Sequence, residues 1–329
     1  MIFVRAPFRI PIGGGGTDLP SYYSKFGGSF ISAAITRYMF VTVNKPILDT
    51  LIRVKYAQTE IVDDVKKIKH ELAREALHLT NIKDSIEINS VADFPAGTGM
   101  GSSGSYLVGV LKALHALKDE HVSAKELAEE ACRIEIDRLK RPVGKQDQYI
   151  AAFGGVTKFK VAKNGSVKVQ RLPLAQPFVR DLENSLLIFY TGISREEEQI
   201  LKSQSKLTEG GNKRVVENLH HIKSIAREIE EALIKNDINA FGKLMHEHWL
   251  AKRKLSSAIS SPRIDYLYRL GMKNGAVGGK IMGAGGGGFL IFCCPENRTR
   301  VRLAMEKEKL TELFYHFDME GAKVIANIS

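Results

Sequence analysis

The segment from Phe94 to Ser105, FPAGTGMGSSGS, carries the residues in this sequence that are best suited to chemistry. Its glycines at positions 97, 99, 101 and 104 let the backbone approach a ligand and turn amide groups toward it. The segment lies between a predicted strand and a predicted helix, and a helix start adds unpaired N–H groups and the positive end of the helix dipole. The pattern therefore predicts a site for a phosphate chain. Ser102 and Ser103 are both expected to be able to cap the helix, and either hydroxyl can also reach a magnesium ion there.

Two familiar nucleotide loops do not fit the sequence around these glycines. The spacing of the last three glycines matches the dinucleotide fingerprint, but that fold needs a second strand ending in an acid about 20 residues on. Here Asp119 and Glu120 follow one predicted helix and precede another. A Walker loop at Gly279-Lys280 would need glycine at position 274 and serine or threonine at position 281, which hold asparagine and isoleucine. A third kind of phosphate loop remains.

Three segments in order resemble the motifs of the GHMP kinases, the family of galactokinase, homoserine kinase and mevalonate kinase. The loop reads PAGTGMGSSG and resembles the second motif, with Met100 at the usual leucine and Gly104 at the usual alanine. RIPIGGGGTD from Arg9 is similar to the first motif, and KIMGAGGGGF from Lys280 to the third. Within the family, RIPIGGGGTDLPSYYSKFGG and YTGISREEEQIL most resemble the D-glycero-D-manno-heptose 7-phosphate kinases.

Asp147, in the string GKQDQY, is the candidate catalytic base, and galactokinase has its catalytic aspartate in a similar Gly-x-x-Asp-Gln context. A carboxylate is ionised at neutral pH and weakly basic, so its value would lie in aligning the accepting hydroxyl and taking its proton late. The resemblance implies that Arg9 lies beside Asp147 and stabilises charge developing on the transferring group. The residues alone leave open that Arg5 and Arg9 are surface residues at the edge of a strand.

The resemblance also implies how ATP and Mg²⁺ bind. Glu135 lies twelve residues before Asp147, the spacing of the galactokinase metal-binding glutamate from its aspartate. With Ser103 it would hold Mg²⁺ through hard oxygen ligands, and Asp137 is the competing candidate. The expected contacts to the nucleotide are Pro95, Gly97, Gly99, Gly101, Ser102, Ser103, Gly104 and Ser105.

The acceptor pocket differs from that of the galactokinases, which carry Glu-His immediately before Thr-Asp where this chain has Gly15-Gly16. Losing two bulky polar side chains opens the pocket and favours a larger, phosphorylated sugar over galactose. Asp18 is the expected acceptor for a sugar hydroxyl. The expected substrate contacts are Gly15, Gly16, Thr17, Asp18, Gly283, Gly285 and Gly286. The sequence does not select which lysine or arginine binds the distal phosphate.

Composition limits the class of protein. The chain has 329 residues, with 48 Lys and Arg against 37 Asp and Glu, for a net charge of +11. Positive charge attracts nucleic acid, anionic membranes or polyphosphate substrates. The sequence has no basic tail, RNP-like aromatic motif or zinc-finger spacing to support nucleic acid. Three cysteines without a pairing pattern, and no apolar run of about 18 residues, predict a cytoplasmic protein that does not bind membranes.

The predicted elements must bring these motifs together. Strand patterns cover Ile2–Arg5 and Ala34–Asn44, Val62–Leu79 has helical spacing, and Glu196–Ser257 is dominated by helices. A hairpin is predicted across Lys163-Asn164-Gly165. Mixed helices and antiparallel strands predict an α+β fold of two lobes, residues 1–175, which hold the nucleotide loop, and residues 176–329. The resemblance implies a first lobe like the second domain of ribosomal protein S5 and a ferredoxin-like second lobe.

The motifs together predict an ATP-dependent, Mg²⁺-requiring sugar kinase. The expected reaction is phosphorylation of the C1 hydroxyl of D-glycero-D-manno-heptose 7-phosphate to the 1,7-bisphosphate, a precursor of nucleotide-activated heptose for cell-surface polysaccharide. Two alternatives remain open at this point: a family kinase for fucose or galactose, and a sensor that binds nucleotide or sugar without turnover. The expected partners are small molecules, and the oligomeric state stays open, with a homodimer as one option.

Overall fold

The structure is a computed structural model that describes residues 1–95, 97–193 and 197–328. Ser194–Glu196 of the string YTGISREEEQIL lie outside the described residues, and with them the first residue of the helical prediction Glu196–Ser257, which is otherwise confirmed by three helices between residues 197 and 252. The strands are β1 (Ile2–Gly13), β2 (Gly28–Asn44), β3 (Ile52–Lys55), β4 (Thr59–Val62), β5 (Ile86–Ala92), β6 (Val156–Val161), β7 (Val167–Arg171), β8 (Leu186–Tyr190), β9 (Gly278–Ile281), β10 (Phe289–Cys293), β11 (Thr311–Leu313) and β12 (Lys323–Asn327). The α-helices are α1 (Pro20–Phe26), α2 (Glu71–Leu79), α3 (Ser102–Leu117), α4 (Ala124–Cys132), α5 (Gln146–Phe153), α6 (Gln176–Ser185), α7 (Glu197–Glu209), α8 (Lys213–Ile234), α9 (Ile238–Lys252), α10 (Pro262–Lys273) and α11 (Arg298–Lys307).

The larger sheet is built around β2, whose 17 residues are long enough to pair with three other strands. β1 runs antiparallel along one edge of β2, while β6 and β5 pair with the start and the end of its other edge. The strand order is β12-β1-β2-β5-β3-β4, with β6 and β7 continuing from the start of β2. Helices α3 and α5 pack on β1 and β2, and Arg9 of β1 contacts Asp147 in the first turn of α5.

The smaller sheet has the order β11-β8-β10-β9 and is antiparallel throughout. β8 and β10 read LLIFY and FLIFC, and nearly all of their residues are buried, as expected for strands covered on both faces. β12, from the second predicted lobe, pairs with β1 and so joins the sheet of the first. The two sheets and their mixed connections confirm the predicted two-lobed α+β fold, while the division at residues 175 and 176 stays a prediction.

Not every predicted element is correct. The helix predicted over Val62–Leu79 is confirmed only from Glu71 to Leu79, as α2; its first part is wrong, because Thr59–Val62 pairs with β3 as a strand and a 3₁₀ turn at Val65–Lys67 precedes α2. Helical spacing in that stretch reflects burial of scattered apolar residues rather than one continuous helix. The hairpin is confirmed, with Gly165 at φ +84° between β6 and β7. Within the described ranges, no helix combines the length and the apolar character that crossing a membrane requires.

Candidate active site

A cavity of about 250 Å³ lies at the junction of the two sheets. Its walls come from the end of β1, the glycine loop before α3, the first turn of α5, and residues of α9 and β9. Twelve of the residues predicted from the sequence line it: Arg9, Gly15, Gly16, Asp18, Gly97, Gly99, Gly101, Ser102, Ser103, Glu135, Asp147 and Gly283. Residues far apart in the sequence therefore meet at one site.

The glycine loop depends on backbone conformations that other residues rarely adopt. Gly97, Gly99 and Gly101 have φ values of +78°, +76° and +81°. The glycine turn before β10 packs directly on this loop, since a Cβ at Gly288 would lie 2.3 Å from the carbonyl oxygen of Thr98. The close approach explains why glycines recur in both segments.

The prediction that Ser102 or Ser103 caps α3 is wrong, because in the described part of the chain no side chain caps the start of this helix. Gly101 occupies the N-cap position and has no side chain to accept hydrogen bonds from the first turn. The hydroxyl of Ser102 is buried and has no hydrogen-bond partner in the described part of the chain. Ser102 and Ser103 both line the cavity, so hydroxyl groups and free amides face the same space. This arrangement suits an anion such as a phosphate chain.

Arg9 and Asp147 form a two-pronged ion pair at the wall of the cavity. Arg9 Nε donates to Asp147 Oδ1 at 2.7 Å and Nη2 to Oδ2 at 3.2 Å, while Nη1 donates to the Gly99 carbonyl at 2.6 Å. A Cβ at Gly101 or Gly104 would lie 2.9 or 2.8 Å from side-chain atoms of Asp147, so these glycines let α3 and α5 touch. The Asp147 side chain is held in place yet 25% exposed to the cavity. Arg9 also connects the acid to the glycine loop.

Asp18 is held between the glycine turn after β1 and the start of α5. Its carboxylate accepts hydrogen bonds from the backbone N–H of Gly16 at 2.9 Å and of Gln146 at 3.1 Å. A Cβ at Gly144 would lie 1.9 Å from Asp18 Oδ2, so only glycine fits there. Burial, and then the nearby Asp147 carboxylate, raise the pKa of Asp18. Asp18 thus anchors the segment that carries Asp147.

Glu135 lies on the π-helical turn Arg133–Arg138, which follows α4, and is fully buried. Its Oε2 accepts from Gln148 Nε2 at 2.6 Å, and Ser103 also hydrogen-bonds to the carboxylate. Burial raises the pKa of Glu135, and its Oε1 has no hydrogen-bond partner among the described residues. Asp137 is exposed instead. Glu135 and Ser103 therefore offer the hard oxygen atoms that a divalent cation prefers.

Two predicted side chains are engaged in backbone support rather than in the cavity lining. Thr17 Oγ1 donates to the Gly14 carbonyl at 2.7 Å and also lies 2.9 Å from the Ser29 carbonyl oxygen. Ser105 Oγ donates to the Pro7 carbonyl at 2.8 Å, inside the contact between α3 and β1. Both hydroxyls fix the segments that carry the lining residues.

Four further predicted residues lie close to the cavity without lining it: Pro95, Gly104, Gly285 and Gly286. Gly286 donates its backbone N–H to the Ile259 carbonyl at 2.8 Å, and a Cβ at Gly285 would lie 2.9 Å from the Ile259 side chain. These glycines serve the packing of the third motif, as Gly104 serves the packing of α3 on α5.

Sequence reasoning missed a set of polar residues on the wall formed by α9, β9 and α7. Lys280 is 1% exposed and donates to the Ile12 carbonyl at 2.7 Å. Burial, with the nearby Lys252 ammonium, lowers the pKa of Lys280 well below its usual range. His248 and Gln204 also line the cavity. The available signal was the pair His248 and Lys252, four residues apart and therefore on one face of a helix. The other missed lining residues are Pro11, Leu19, Arg141, Val143, Gly144, Gln146, Glu198, Leu201, Leu255 and Ala284.

Comparison with known proteins identifies the family to which the sequence is similar. The model for the GHMP kinases N terminal domain matches residues 63–155, and the model for the GHMP kinases C terminal domain matches residues 229–311. Together the two matches cover more than half of the chain. The chain is 29% identical to the D-glycero-alpha-D-manno-heptose 7-phosphate kinase of Campylobacter jejuni, with 98% of each chain covered.

Solved structures show the same fold. A structure described as a D-glycero-D-manno-heptose 1-phosphate kinase from Bacteroides thetaiotaomicron superposes with a TM-score of 0.82, covers both chains fully and is 24% identical. A structure described as a putative sugar kinase from Campylobacter jejuni has a TM-score of 0.77 and is 27% identical, covering 98% of this chain and 97% of its own.

Proposed function

Because this chain belongs to the GHMP kinase family and is an ATP-dependent sugar kinase, we propose that it phosphorylates the C1 hydroxyl of D-glycero-D-manno-heptose 7-phosphate. The product would be the 1,7-bisphosphate. The observation that carries the proposal is the Arg9–Asp147 ion pair on the cavity wall, in a chain that matches a heptose 7-phosphate kinase along its whole length. The reaction would take place in the cytoplasm, on small molecules rather than nucleic acid.

The chemical step transfers a phosphoryl group between two oxygens. The C1 oxygen forms a bond to the γ-phosphorus while the bond from that phosphorus to the bridging β–γ oxygen breaks, and ADP leaves. Asp147 would orient the C1 hydroxyl and accept its proton as the new bond forms. The two hydrogen bonds from Arg9 fix the Asp147 carboxylate, and the guanidinium would stabilise negative charge on the transferring group.

The glycine loop and the start of α3 would bind the phosphates of ATP. The backbone amides of Gly97, Gly99 and Gly101 would supply N–H groups without side chains in the way, and Gly101 leaves the first turn of α3 uncapped. The contact from Arg9 Nη1 to the Gly99 carbonyl links this loop to Asp147. The terminal phosphate and the accepting hydroxyl would therefore meet beside Arg9.

Glu135 and Ser103 would hold Mg²⁺. The buried Oε1 of Glu135 accepts no hydrogen bond from the described residues and lies 3.8 Å from Arg141 Nη1; with the serine at the start of α3 it forms a donor set that fits a hard cation. When bound, the ion neutralises charge on the phosphates of ATP. Without a bound cation, burial raises the pKa of Glu135 and so disfavours its charged form. A cation bound next to the carboxylate would favour the charged form again.

The acceptor would lie beside the glycine turn after β1. Gly15 and Gly16 line the cavity without side chains, and Gly16 packs against Gln204, to which a Cβ would approach within 2.9 Å. Asp18 would accept a hydrogen bond from a sugar hydroxyl with lone pairs that the two backbone amides leave free. Thr17 and the glycines of the third motif would support this pocket through the backbone.

A substrate panel tests the proposal. ADP release would be measured with ATP, Mg²⁺ and one of four acceptors: D-glycero-D-manno-heptose 7-phosphate, the same heptose without phosphate, L-fucose or D-galactose. We expect kcat/KM for the 7-phosphate to exceed the others by at least about a hundredfold, since polar groups built for one substrate reject those that leave them unpaired. Phosphorus NMR of the product would locate the new phosphate at C1. A preference for fucose or galactose would contradict the proposal, and no ADP release from any acceptor would favour a non-catalytic sensor.

A further inference from the structure

Three basic side chains that take no part in the chemical step described above lie together on the cavity wall. His248 and Lys252 occupy one face of α9, and Lys280 lies on the neighbouring β9. All three line the cavity, and the charges of both lysines act on the His248 ring. We call His248, Lys252 and Lys280 the basic cluster.

The burial of the basic cluster, with the ring nitrogens of His248 left unpartnered among the described residues, indicates a binding site for an anion. His248 is 2% exposed, and neither of its ring nitrogens forms a hydrogen bond with another residue of the described chain. Lys280 is 1% exposed and donates to the Ile12 carbonyl at 2.7 Å. Burial, together with the charges of Lys280 and Lys252, lowers the pKa of His248 well below its usual range. A buried polar group without a partner costs free energy that a bound ligand would recover.

The position of the basic cluster favours the acceptor over the nucleotide. Lys280 bonds to Ile12, which directly precedes the glycine turn beside which the acceptor would lie. Gln204, next to Gly16, has a buried Nε2 without a hydrogen-bond partner among the described residues, so a second donor faces the same region. The glycine loop and the start of α3 already supply donors for the phosphates of ATP. An unphosphorylated sugar has no anionic group that could occupy a second anion site at the acceptor end of the cavity, whereas a sugar phosphate has one.

We propose that His248 hydrogen-bonds to the phosphate group of the sugar phosphate acceptor, with Lys280 and Lys252 supplying positive charge around it. The inference rests on the proposed function, because it assigns the phosphate that distinguishes a heptose 7-phosphate from an unphosphorylated sugar. It also names the residues that would bind the distal phosphate of the acceptor, which the sequence alone left open among several lysines and arginines.

The test compares His248→Ala with wild-type enzyme on two acceptors, heptose 7-phosphate and the same heptose without phosphate. We expect KM for the 7-phosphate to rise about tenfold to a hundredfold, the range for losing a hydrogen bond to a charged group. The value of kcat/KM for the unphosphorylated heptose, and KM for ATP, should change less than about twofold to threefold. His248→Gln keeps an N–H donor and should recover part of the affinity.

His246→Gln serves as the matched control. His246 lies on the same helix but bonds to the hydroxyl of Tyr268 through Nδ1 at 2.6 Å, and it does not line the cavity. Its substitution should leave both acceptors unaffected. Thermal unfolding of each variant separates loss of binding from loss of folding.

The outcomes distinguish this inference from the proposed function. If the wild-type enzyme uses both heptoses equally well, the proposed function fails and the inference fails with it. If the wild-type enzyme prefers the 7-phosphate but folded His248→Ala loses both acceptors equally, the inference alone is overturned. A rise in KM for ATP alone would assign the basic cluster to the nucleotide and would also overturn it.

Discussion

Arg9→Lys tests whether the geometry around Asp147, the proposed catalytic base, and not only its charge, controls the rate. Arg9 makes three hydrogen bonds, at 2.7 and 3.2 Å to Asp147 and at 2.6 Å to Gly99, and only 3% of its side chain is exposed. One ammonium group cannot reproduce a planar fork that reaches a carboxylate and a carbonyl together. Losing one such preorganised group costs about 2.7–4 kcal/mol of transition-state stabilisation, or roughly 10²–10³ in kcat.

The assay is ADP release at saturating ATP and heptose 7-phosphate, with thermal unfolding measured in parallel. We expect Tm to fall by only a few degrees, because Asp147 is partly exposed and water can solvate it. Arg5→Lys is the matched control, since Arg5 lies on the same strand and pairs with Asp318 and Glu320 outside the cavity. It should keep kcat within about twofold. A folded Arg9→Lys enzyme with kcat within about threefold of wild type would refute the reasoning.

Two further predictions concern buried ionisable groups. Glu135→Gln should raise the Mg²⁺ concentration for half-maximal activity by about tenfold or more without lowering Tm, because the amide removes the proposed metal ligand and also a buried ionisable group. An unchanged Mg²⁺ requirement would argue against Glu135 as ligand. Hydrogen bonds to Glu130 and then Glu120 raise the pKa of His115. This contact should stabilise the fold fully below the unfolded-state pKa of about 6.5 and lose its effect as pH rises through the folded-state pKa. The Tm difference between wild type and His115→Gln should therefore be larger at pH 6 than at pH 9, and a constant difference would contradict it.

The glycine loop shows what sequence could predict. Clustered glycines followed by serines at a helix start indicate an anion site from local chemistry alone, and Gly97, Gly99, Gly101, Ser102 and Ser103 line the cavity. The meeting of Arg9 with Asp147, 138 positions apart, has no local signal. It came from the resemblance to a known family, because only the pairing of strands and the packing of α5 on β1 bring the two together.

Other features depended on long-range contacts that no local pattern encodes. β12 returns to pair with β1, and β4 pairs with β3 inside a stretch whose spacing favours a helix. Helix α9 carries His246 toward the Tyr268 hydroxyl and His248 toward the cavity, as two residues of separation on a helix requires. That His248 and Lys280 would be buried could not be read from the sequence, because both residue types are usually exposed or intermediate.

The most direct measurement of the central claim is the turnover of Asp147→Asn together with its affinity for ATP. The amide keeps the shape of the side chain but cannot take the proton of the C1 hydroxyl. We predict a loss of kcat of about 10²–10⁴, the range for a general base, with the dissociation constant for ATP within about twofold of wild type. Turnover near the wild-type rate in a folded Asp147→Asn enzyme would contradict the account.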